Sequence, residues 1–209
     1  MCFAREGSTP FFGTLGPRTD LPVDLRGESF SAWVTPPVDP RSACKENPVE
    51  TVKTRDAAAA EEAAQIWAHA TAKRDENPAS DVNHDEAVNL VQESLAHSDR
   101  SFLLCLNTDE GMMAFAAIEP SRGSGEEVGE IRYLGVAPGH WGEGWARRLL
   151  VAVPGAMREN DFSSGELWVY ADNIRAIFVY EAMGWIGTEQ TRRHPVTDRV
   201  EQRFVLKLG

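Results

Sequence analysis

The chain contains few of the residues that mark several large protein classes. It has three cysteines, Cys2, Cys44 and Cys105, without a Cys-x-x-Cys pair, which argues against a disulfide framework and a structural zinc site. The five histidines show no metal-ligand spacing, so no metal site is predicted. The longest apolar runs, such as 112–118, are too short to span a bilayer, and no apolar signal-type segment opens the chain. We therefore expect a cytoplasmic protein that binds no membrane.

Basic residues are also scarce relative to acidic ones. Lys and Arg number 21 against 32 Asp and Glu, which gives a formal net charge of −11. Nonspecific binding to nucleic acid requires a basic face that displaces counterions, so a nucleic-acid partner is not predicted. The charge favours a cationic partner or substrate. Many soluble proteins are simply acidic, however, so the charge alone leaves both interpretations open.

The composition divides the chain into two parts. Residues 1–48 contain more than half of the twelve prolines and no sustained periodicity, which predicts an N-terminal extension. Residues 49–209 contain enough apolar residues to form one domain with a sizeable core. Four aromatic residues of the extension, Phe11, Phe12, Phe30 and Trp33, could cover the domain or a partner subunit. A homodimer is therefore left open, as is a purely flexible arm.

Hydrophobic periodicity predicts an alternation of strands and helices in the domain. A strand at 49–54 precedes a helix at 57–73 that Asp56 could cap, and a second helix follows at 85–97. Pro154 is expected to kink or shorten a later helix at 145–159. The glycine-rich segment 121–129 is read as a turn. The remaining predicted strands are 101–106, 112–118, 130–136, 166–170, 185–193 and 200–208.

The most informative segment lies where the strand 130–136 ends. After Val136 and Pro138 the chain continues as Gly-His-Trp-Gly-Glu-Gly-Trp-Ala into an apolar helix, with glycines at 142 and 144. Glycines at a helix start let consecutive N–H groups and the helix dipole face an anion, which is typical of phosphate binding. The loop lacks the Gly-Lys-Ser/Thr of a Walker A motif and the Gly-x-Gly-x-x-Gly of a dinucleotide fold. A pyrophosphate-containing ligand of another kind is therefore indicated.

These residues resemble the GNAT superfamily of acyl-CoA-dependent N-acetyltransferases. The family loop reads Arg/Gln-x-x-Gly-x-Gly/Ala after Val-x-Pro, and here Trp141-Gly-Glu-Gly-Trp-Ala follows Val-Ala-Pro. A second family pattern follows in the right order, as Asn173-x-x-Ala-x-x-x-Tyr180-x-x-x-Gly-Trp. The match covers about half of the chain, residues 101–208. Trp141 departs from the family pattern and puts one side-chain contact to phosphate in doubt.

The resemblance implies the fold and the co-substrate. The expected fold class is α/β (α+β), with a mixed, mostly antiparallel central sheet, helices on both faces, and splayed strands that form an acyl-CoA slot. Acetyl-CoA is the implied co-substrate, and no metal is needed. Backbone groups along the strand would bind the pantetheine, the loop and helix start would bind the pyrophosphate, and the asparagine would contact the cofactor. The implied cofactor-binding residues are Leu134, Gly135, Val136, Gly142, Glu143, Gly144, Trp145, Ala146, Arg147 and Asn173. Gly135 could also lie at a β-bulge.

Two residues are candidates for proton transfer. The resemblance implies that Tyr180 donates a proton to the CoA thiolate, and an ordinary phenol stays protonated at neutral pH. Glu130, eleven residues before Trp141, occupies the position that some members use for a general base. Trp168 stands where other members carry a glutamate base, so that alternative is closed. A core tyrosine and a solvent-facing glutamate remain the plainer interpretations of Tyr180 and Glu130.

The leading hypothesis is an acetyl-CoA-dependent N-acetyltransferase, an acyltransferase that acts on a primary amine of a small cationic molecule or a protein. A catalytically silent acyl-CoA-binding module and a nucleotide-binding domain are the alternatives. In the family the acceptor approaches between the first two helices and the final hairpin. The acidic residues on the helix side are Asp75, Glu76, Asp81, Asp85 and Glu86, and the basic residues of the hairpin are Arg192, Arg193 and Arg199. Their opposite charges leave the acceptor's charge unpredicted.

Overall fold

The computed structural model describes residues 48–74 and 83–209, which form seven strands and four helices. The predicted extension therefore lies, except for Pro48, outside the described residues, as do Asp75, Glu76 and Asp81. The elements in chain order are β1 (Glu50–Thr54), α1 (Ala57–Arg74), α2 (His84–Ala96), β2 (Phe102–Thr108), β3 (Gly111–Ser121), β4 (Gly125–Val136), α3 (Trp145–Arg158), β5 (Ser164–Tyr170), α4 (Ile174–Ala182), β6 (Ile186–Arg193) and β7 (Val200–Lys207).

The strands form one seven-stranded sheet in the order β1-β2-β3-β4-β5-β7-β6. Neighbouring strands are antiparallel except β4 and β5, which run parallel. The crossover between these two parallel strands contains α3, which packs on the sheet. The mixed, mostly antiparallel sheet confirms the predicted fold class.

Two apolar cores cover the two faces of the sheet. The first joins α3 and α4 to side chains such as Ile131, Leu167 and Phe204. The second joins α1 and α2 to side chains such as Phe115 and Ala117. Because successive side chains of a strand point to opposite faces, this assignment also tells which residues of β4 and β5 face each side.

Most predicted elements are confirmed to within a few residues. Asp56 caps α1 as expected, since its Oδ1 accepts hydrogen bonds from the N–H groups of Ala58 at 2.8 Å and Ala59 at 3.3 Å. The predicted turn at 121–129 was wrong in part, because β4 begins at Gly125. Of the two effects expected of Pro154, a kink or a shortening, the shortening is not observed, because α3 continues to Arg158.

No helix in the described part of the chain is long and apolar enough to cross a membrane.

Candidate active site

A slot opens where β4 and β5 separate. Their parallel pairing covers residues 128–131 and 164–167 and then ends. Beyond that point, among the strands that the structure describes, β4 pairs only with β3, and β5 pairs only with β7. The backbone of Leu134, Gly135 and Val136 therefore presents its unpaired edge to the slot. This is the arrangement predicted for binding the pantetheine amides.

Gly135 contributes to the slot through packing rather than through an irregular backbone. It pairs in regular register with Phe115, and the bulge of β4 falls at Arg132, between the pairs formed by Ile131 and Tyr133. A Cβ on Gly135 would lie 2.7 Å from Cε1 of Phe115 and 3.0 Å from Cγ2 of Ile66. The predicted bulge at Gly135 was therefore misplaced. The glycine lets β4 lie directly against the second core.

The glycine loop has the backbone geometry of an anion site. Gly142 and Gly144 have φ angles of 93° and 88°, a left-handed conformation that L side chains rarely adopt. Gly144 is the N-cap of α3 and makes no side-chain capping bond. The first-turn N–H groups of a helix have no partner within the helix, so those of α3 are available to a ligand. Ala146 is buried against the core, whereas Arg147 is exposed beside the loop.

Side chains hold the loop in this shape. Trp141, the departure from the family pattern, donates from Nε1 to the backbone oxygen of Val136 at 2.8 Å. Glu143 accepts hydrogen bonds from Trp145 Nε1 at 3.1 Å and from His140 Nδ1 at 3.0 Å. These two bonds lower the pKa of the exposed Glu143 carboxyl below its usual value. Trp141 therefore anchors the loop to the end of β4.

Two cations near the loop were missed by the sequence reasoning. Nζ of Lys73 lies 4.3 Å from the centre of the Trp141 ring. Nη2 of Arg175 lies 3.9 Å from the position that a Cβ would take on Gly142. Arg175 could have been noticed two residues after Asn173, in the first turn of α4, but only the fold brings that turn to the loop. Lys73 has no comparable sequence signal.

Asn173 and Tyr180 lie at opposite ends of α4. Asn173 is the N-cap, and its Oδ1 accepts a hydrogen bond from the N–H of Ala176, which leaves Nδ2 for any cofactor contact. Tyr180 is 1% exposed, with its ring 6.1 Å from that of Trp185 and 6.2 Å from that of Phe204. Burial raises the pKa of the Tyr180 hydroxyl. It therefore stays protonated at neutral pH and belongs to the core on the α3 and α4 face.

Glu130 lies on the opposite face, one residue before the strands separate. It is the middle member of a row of buried carboxylates, because β4 pairs it with Glu119 of β3 and with Glu166 of β5. Their exposures are 4% for Glu130, 0% for Glu119 and 2% for Glu166. Burial raises the pKa of Glu130, the nearby Arg132 opposes this, and Glu166 adds to it. A carboxylate with a raised pKa is a stronger proton acceptor than an ordinary glutamate.

The three carboxylates differ in their partners. Glu166 accepts hydrogen bonds from Ser121, from Ser124 at 2.7 Å, and from Arg203 Nε at 2.7 Å. Glu130 accepts one bond within the described residues, from Nη1 of Arg132 at 3.2 Å. Glu119 also accepts one, from Nε of Arg122 at 2.9 Å, and its buried Oε2 has no partner within the described residues, so Glu166 is the best satisfied member of the row. Sequence reasoning could not find this row, because the register of three strands brings together residues distant in the chain.

Glu130 faces a cavity of about 690 Å³, which its strand shares with β5, β6 and β7. Of the three hairpin arginines considered from the sequence, Arg192 lines the cavity. Arg193 instead bonds to Asp198 at 2.9 Å, and Arg199 bonds to Asp172 at 2.6 Å. The complete lining is Arg122, Gly123, Ser124, Glu130, Arg132, Glu166, Trp168, Gln190, Arg192 and Arg203.

Within residues 48–74 and 83–209, no group of three or more His, Cys, Asp or Glu side chains has the geometry of a metal site.

Comparisons with known proteins bear on this site. The acetyltransferase (GNAT) family profile matches residues 60–185, more than half of the chain. A mycothiol acetyltransferase of Renibacterium salmoninarum is 29% identical over 86 residues, which make up 40% of this chain and 25% of that protein. One from Paenarthrobacter aurescens is 29% identical over 87 residues, which make up 41% of this chain and 27% of that protein. The matched segment thus spans about a quarter of these curated relatives.

Solved structures share the fold. Salmonella typhimurium yncA, solved with acetyl-CoA as its cofactor, superposes with a TM-score of 0.60 at 18% identity, over 78% of this chain and 95% of that one. The ribosomal-protein-S18-alanine N-acetyltransferase of Escherichia coli superposes with a TM-score of 0.55 at 22% identity, over 78% of this chain and 94% of that one. The family match and the shared fold confirm the resemblance, and the chain belongs to the acetyltransferase (GNAT) family.

Proposed function

We propose that this member of the family transfers the acetyl group of acetyl-CoA to a primary amine. The observation that carries the proposal is the position of Glu130, which faces a cavity of about 690 Å³ and lies where β4 and β5 begin to separate. A cavity of this size is within the usual range for small-molecule sites, about 300–1,000 Å³. An amine in the cavity would approach the slot from the side opposite to α3.

The residues around the slot fit acetyl-CoA. The left-handed Gly142 and Gly144 expose the amides of the loop, and Arg175 and Lys73 add positive charge nearby. The open edge of β4 offers backbone groups to an extended ligand. Acetyl-CoA would supply the acetyl group as a thioester, which an amine can attack directly. We propose that these groups bind and orient it.

Proton transfer is assigned to the two candidates from the sequence. Glu130 accepts a proton from the acceptor's ammonium group, which makes the amine nucleophilic. Tyr180 donates a proton to the departing thiolate, since a phenol hydroxyl is protonated at neutral pH. The two groups lie on opposite faces of the sheet, so the slot between β4 and β5 is the route that connects them. Acid and base would thus act from opposite sides of the slot.

The test is release of free thiol when the purified protein is mixed with acetyl-CoA and a panel of amines. Thiol release that depends on an added amine, with the acetylated amine detected by mass, supports the proposal. Reactions without amine control for spontaneous thioester hydrolysis. CoA binding without thiol release for every amine would instead support the silent acyl-CoA-binding module.

The proposal also covers the N-terminal extension, the oligomeric state and the cellular location of the protein. Residues 1–48 precede every matched motif, so we propose that a chain truncated there retains CoA affinity, as calorimetry would measure. The homodimer stays a prediction, which light scattering would check. A cytoplasmic location is consistent with the free, buried Cys105, whose pKa burial raises to about 12.

A further inference from the structure

The wall of the cavity that faces Glu130 contains arginines in two different states. Arg203 uses its guanidinium inside the protein, because it donates to Glu166, to Gln190 Oε1 at 2.8 Å and to Ser124 Oγ at 2.9 Å. Arg192 donates within the described residues from Nε alone, to Glu201 Oε2 at 2.7 Å. Arg203 is therefore a structural part of the wall, whereas the Nη1 and Nη2 edge of Arg192 is available.

Arg192 is also held in a defined orientation. Glu201, which fixes its Nε, is 7% exposed. The guanidinium carbon of Arg192 lies 4.2 Å from the centre of the Trp168 ring, a cation–π contact that adds a second restraint. A guanidinium held through Nε and through its face presents its two terminal nitrogens side by side. This edge matches the two oxygens of a carboxylate, which it can bind with two parallel hydrogen bonds.

The same cavity contains the proposed base. Glu130 lines it together with Arg192 and Trp168, and within residues 48–74 and 83–209 its carboxylate accepts a single hydrogen bond, from Arg132. The cavity therefore offers a partly satisfied carboxylate for an ammonium group and an oriented guanidinium for a negative group. Arg122 and Arg132 also line the cavity, but they donate to Glu119 and Glu130 of the carboxylate row, whereas Arg192 is bonded outside that row. The free edge of Arg192 can balance one negative charge, as on a carboxylate.

We infer that the acceptor is a small zwitterionic amine of the amino-acid type, whose carboxylate binds Arg192 while its amine faces Glu130. This inference rests on the proposed function. It differs from the acceptor suggested by the net charge of −11, which favours a purely cationic molecule. The difference arises because the net charge describes the whole chain, whereas the side chains of one cavity determine what it binds. Trp168 then positions Arg192 instead of supplying a base.

The experiment compares each of the twenty L-amino acids with its carboxamide, which keeps the amine and removes the negative charge. Thiol release from acetyl-CoA gives kcat/KM for both members of each pair. For the preferred side chain, we expect kcat/KM to fall at least tenfold on amidation, because a hydrogen-bonded charge is lost. In Arg192→Met, which keeps an apolar contact to Trp168, acid and amide should react equally.

Two further variants keep this comparison interpretable. The double variant Arg192→Met with Glu201→Gln avoids leaving a buried carboxylate unpaired, so it serves if the single variant folds poorly. Arg158→Met removes an exposed arginine of α3 whose side chain makes no hydrogen bond within the described residues. It should retain the wild-type preference for the acid.

The outcomes separate this inference from the proposed function. If wild type acetylates amides as well as acids, or acetylates only amines without a carboxylate, the inference is overturned and the acetyltransferase proposal stands. If no compound releases thiol, calorimetry measures whether the protein binds each amino acid and its carboxamide. Binding of acids but not amides, lost in Arg192→Met, would keep the carboxylate site while the proposed function fails. Absence of any such binding would overturn the inference as well.

Discussion

Replacing Gly144 by glutamate tests whether the glycine loop binds the pyrophosphate of CoA. Gly144 has a φ of 88° and caps α3 with no side-chain bond. Apart from its two chain neighbours, no atom of the described residues lies within 4 Å of the position that a Cβ would take there. A side chain added at this position therefore meets no other part of the described protein. It enters the space that the loop amides offer to an anion.

The substitution has two effects, one on the free energy of unfolding and one on the affinity for CoA. A left-handed backbone costs an L-residue about 1–2 kcal/mol, which lowers the free energy of unfolding in any non-glycine variant. The added carboxylate repels the pyrophosphate. Two charges about 5 Å apart repel by about 0.8 kcal/mol in water and by about 3 kcal/mol at an effective dielectric constant of about 20. Since about 1.4 kcal/mol is a factor of ten, the loss of CoA affinity should lie between about 4-fold and about 100-fold.

Calorimetric titration with CoA measures the affinity, and urea denaturation measures the free energy of unfolding. Gly144→Ala introduces the backbone strain without the charge, so it should lose stability but less affinity than Gly144→Glu. Gly155→Ala is the matched control, because Gly155 lies in the same helix with nothing within 4 Å of its Cβ position and without a positive φ. A folded Gly144→Glu protein that binds CoA like wild type would refute the assignment of the loop.

Three further substitutions test the slot and its chemistry. Tyr180→Phe should lower kcat by about 10²- to 10⁴-fold with nearly unchanged CoA affinity, and normal turnover on the true acceptor would show that the hydroxyl is only structural. Because the pKa of Glu130 is raised in the folded protein, the free energy of unfolding decreases as pH rises from the unfolded carboxyl pKa, about 4.3, through the folded one. In Glu130→Gln, urea denaturation at several pH values should show no such decrease, and activity should fall most at low pH. If stability and activity depended on pH as in wild type, Glu130 would be neither the titrating buried group nor the base. Gly135→Ala places a Cβ 2.7 Å from Phe115 and should cost about 1–3 kcal/mol of unfolding free energy, so an unchanged melting temperature would disprove the tight packing.

The sequence predicted the order of elements because their ends are chemically marked. Asp56 caps α1, and the positive φ of Gly144 occurs at the start of α3. The expected shortening of α3 at Pro154 did not occur, because the packing of the helix was not considered. Leu149, Leu150 and Val153 of α3 are at most 2% exposed. Burial of this face stabilises the helix despite the backbone hydrogen bond that proline cannot make.

The candidate site could be predicted only in part, because some of its residues are close in the sequence and others are brought together by the sheet. The loop and the Asn173 to Trp185 pattern are local in the chain, so a sequence comparison can detect them. The carboxylate row and the contact between Trp168 and Arg192 depend on strand register, which places residues from several strands beside each other. Trp168 could be excluded as a base from the sequence, but its contact with Arg192 required the order in which β5, β7 and β6 pair.

The carboxylate row also separates stability from function within one set of residues. Burying a carboxylate costs several kcal/mol unless hydrogen bonds and cations compensate for the lost water. Glu166 has this compensation, since two serines and Arg203 satisfy it at 2% exposure. Glu130 is nearly as buried, and within the described residues it accepts one bond of 3.2 Å, from Arg132. Arg132 and Arg192 favour its charged form, but they offset its burial only in part. An ammonium group in the cavity would supply the missing partner. The attraction between the ammonium group and Glu130 would then strengthen binding of the acceptor. It would also keep Glu130 in the charged form that accepts the proton.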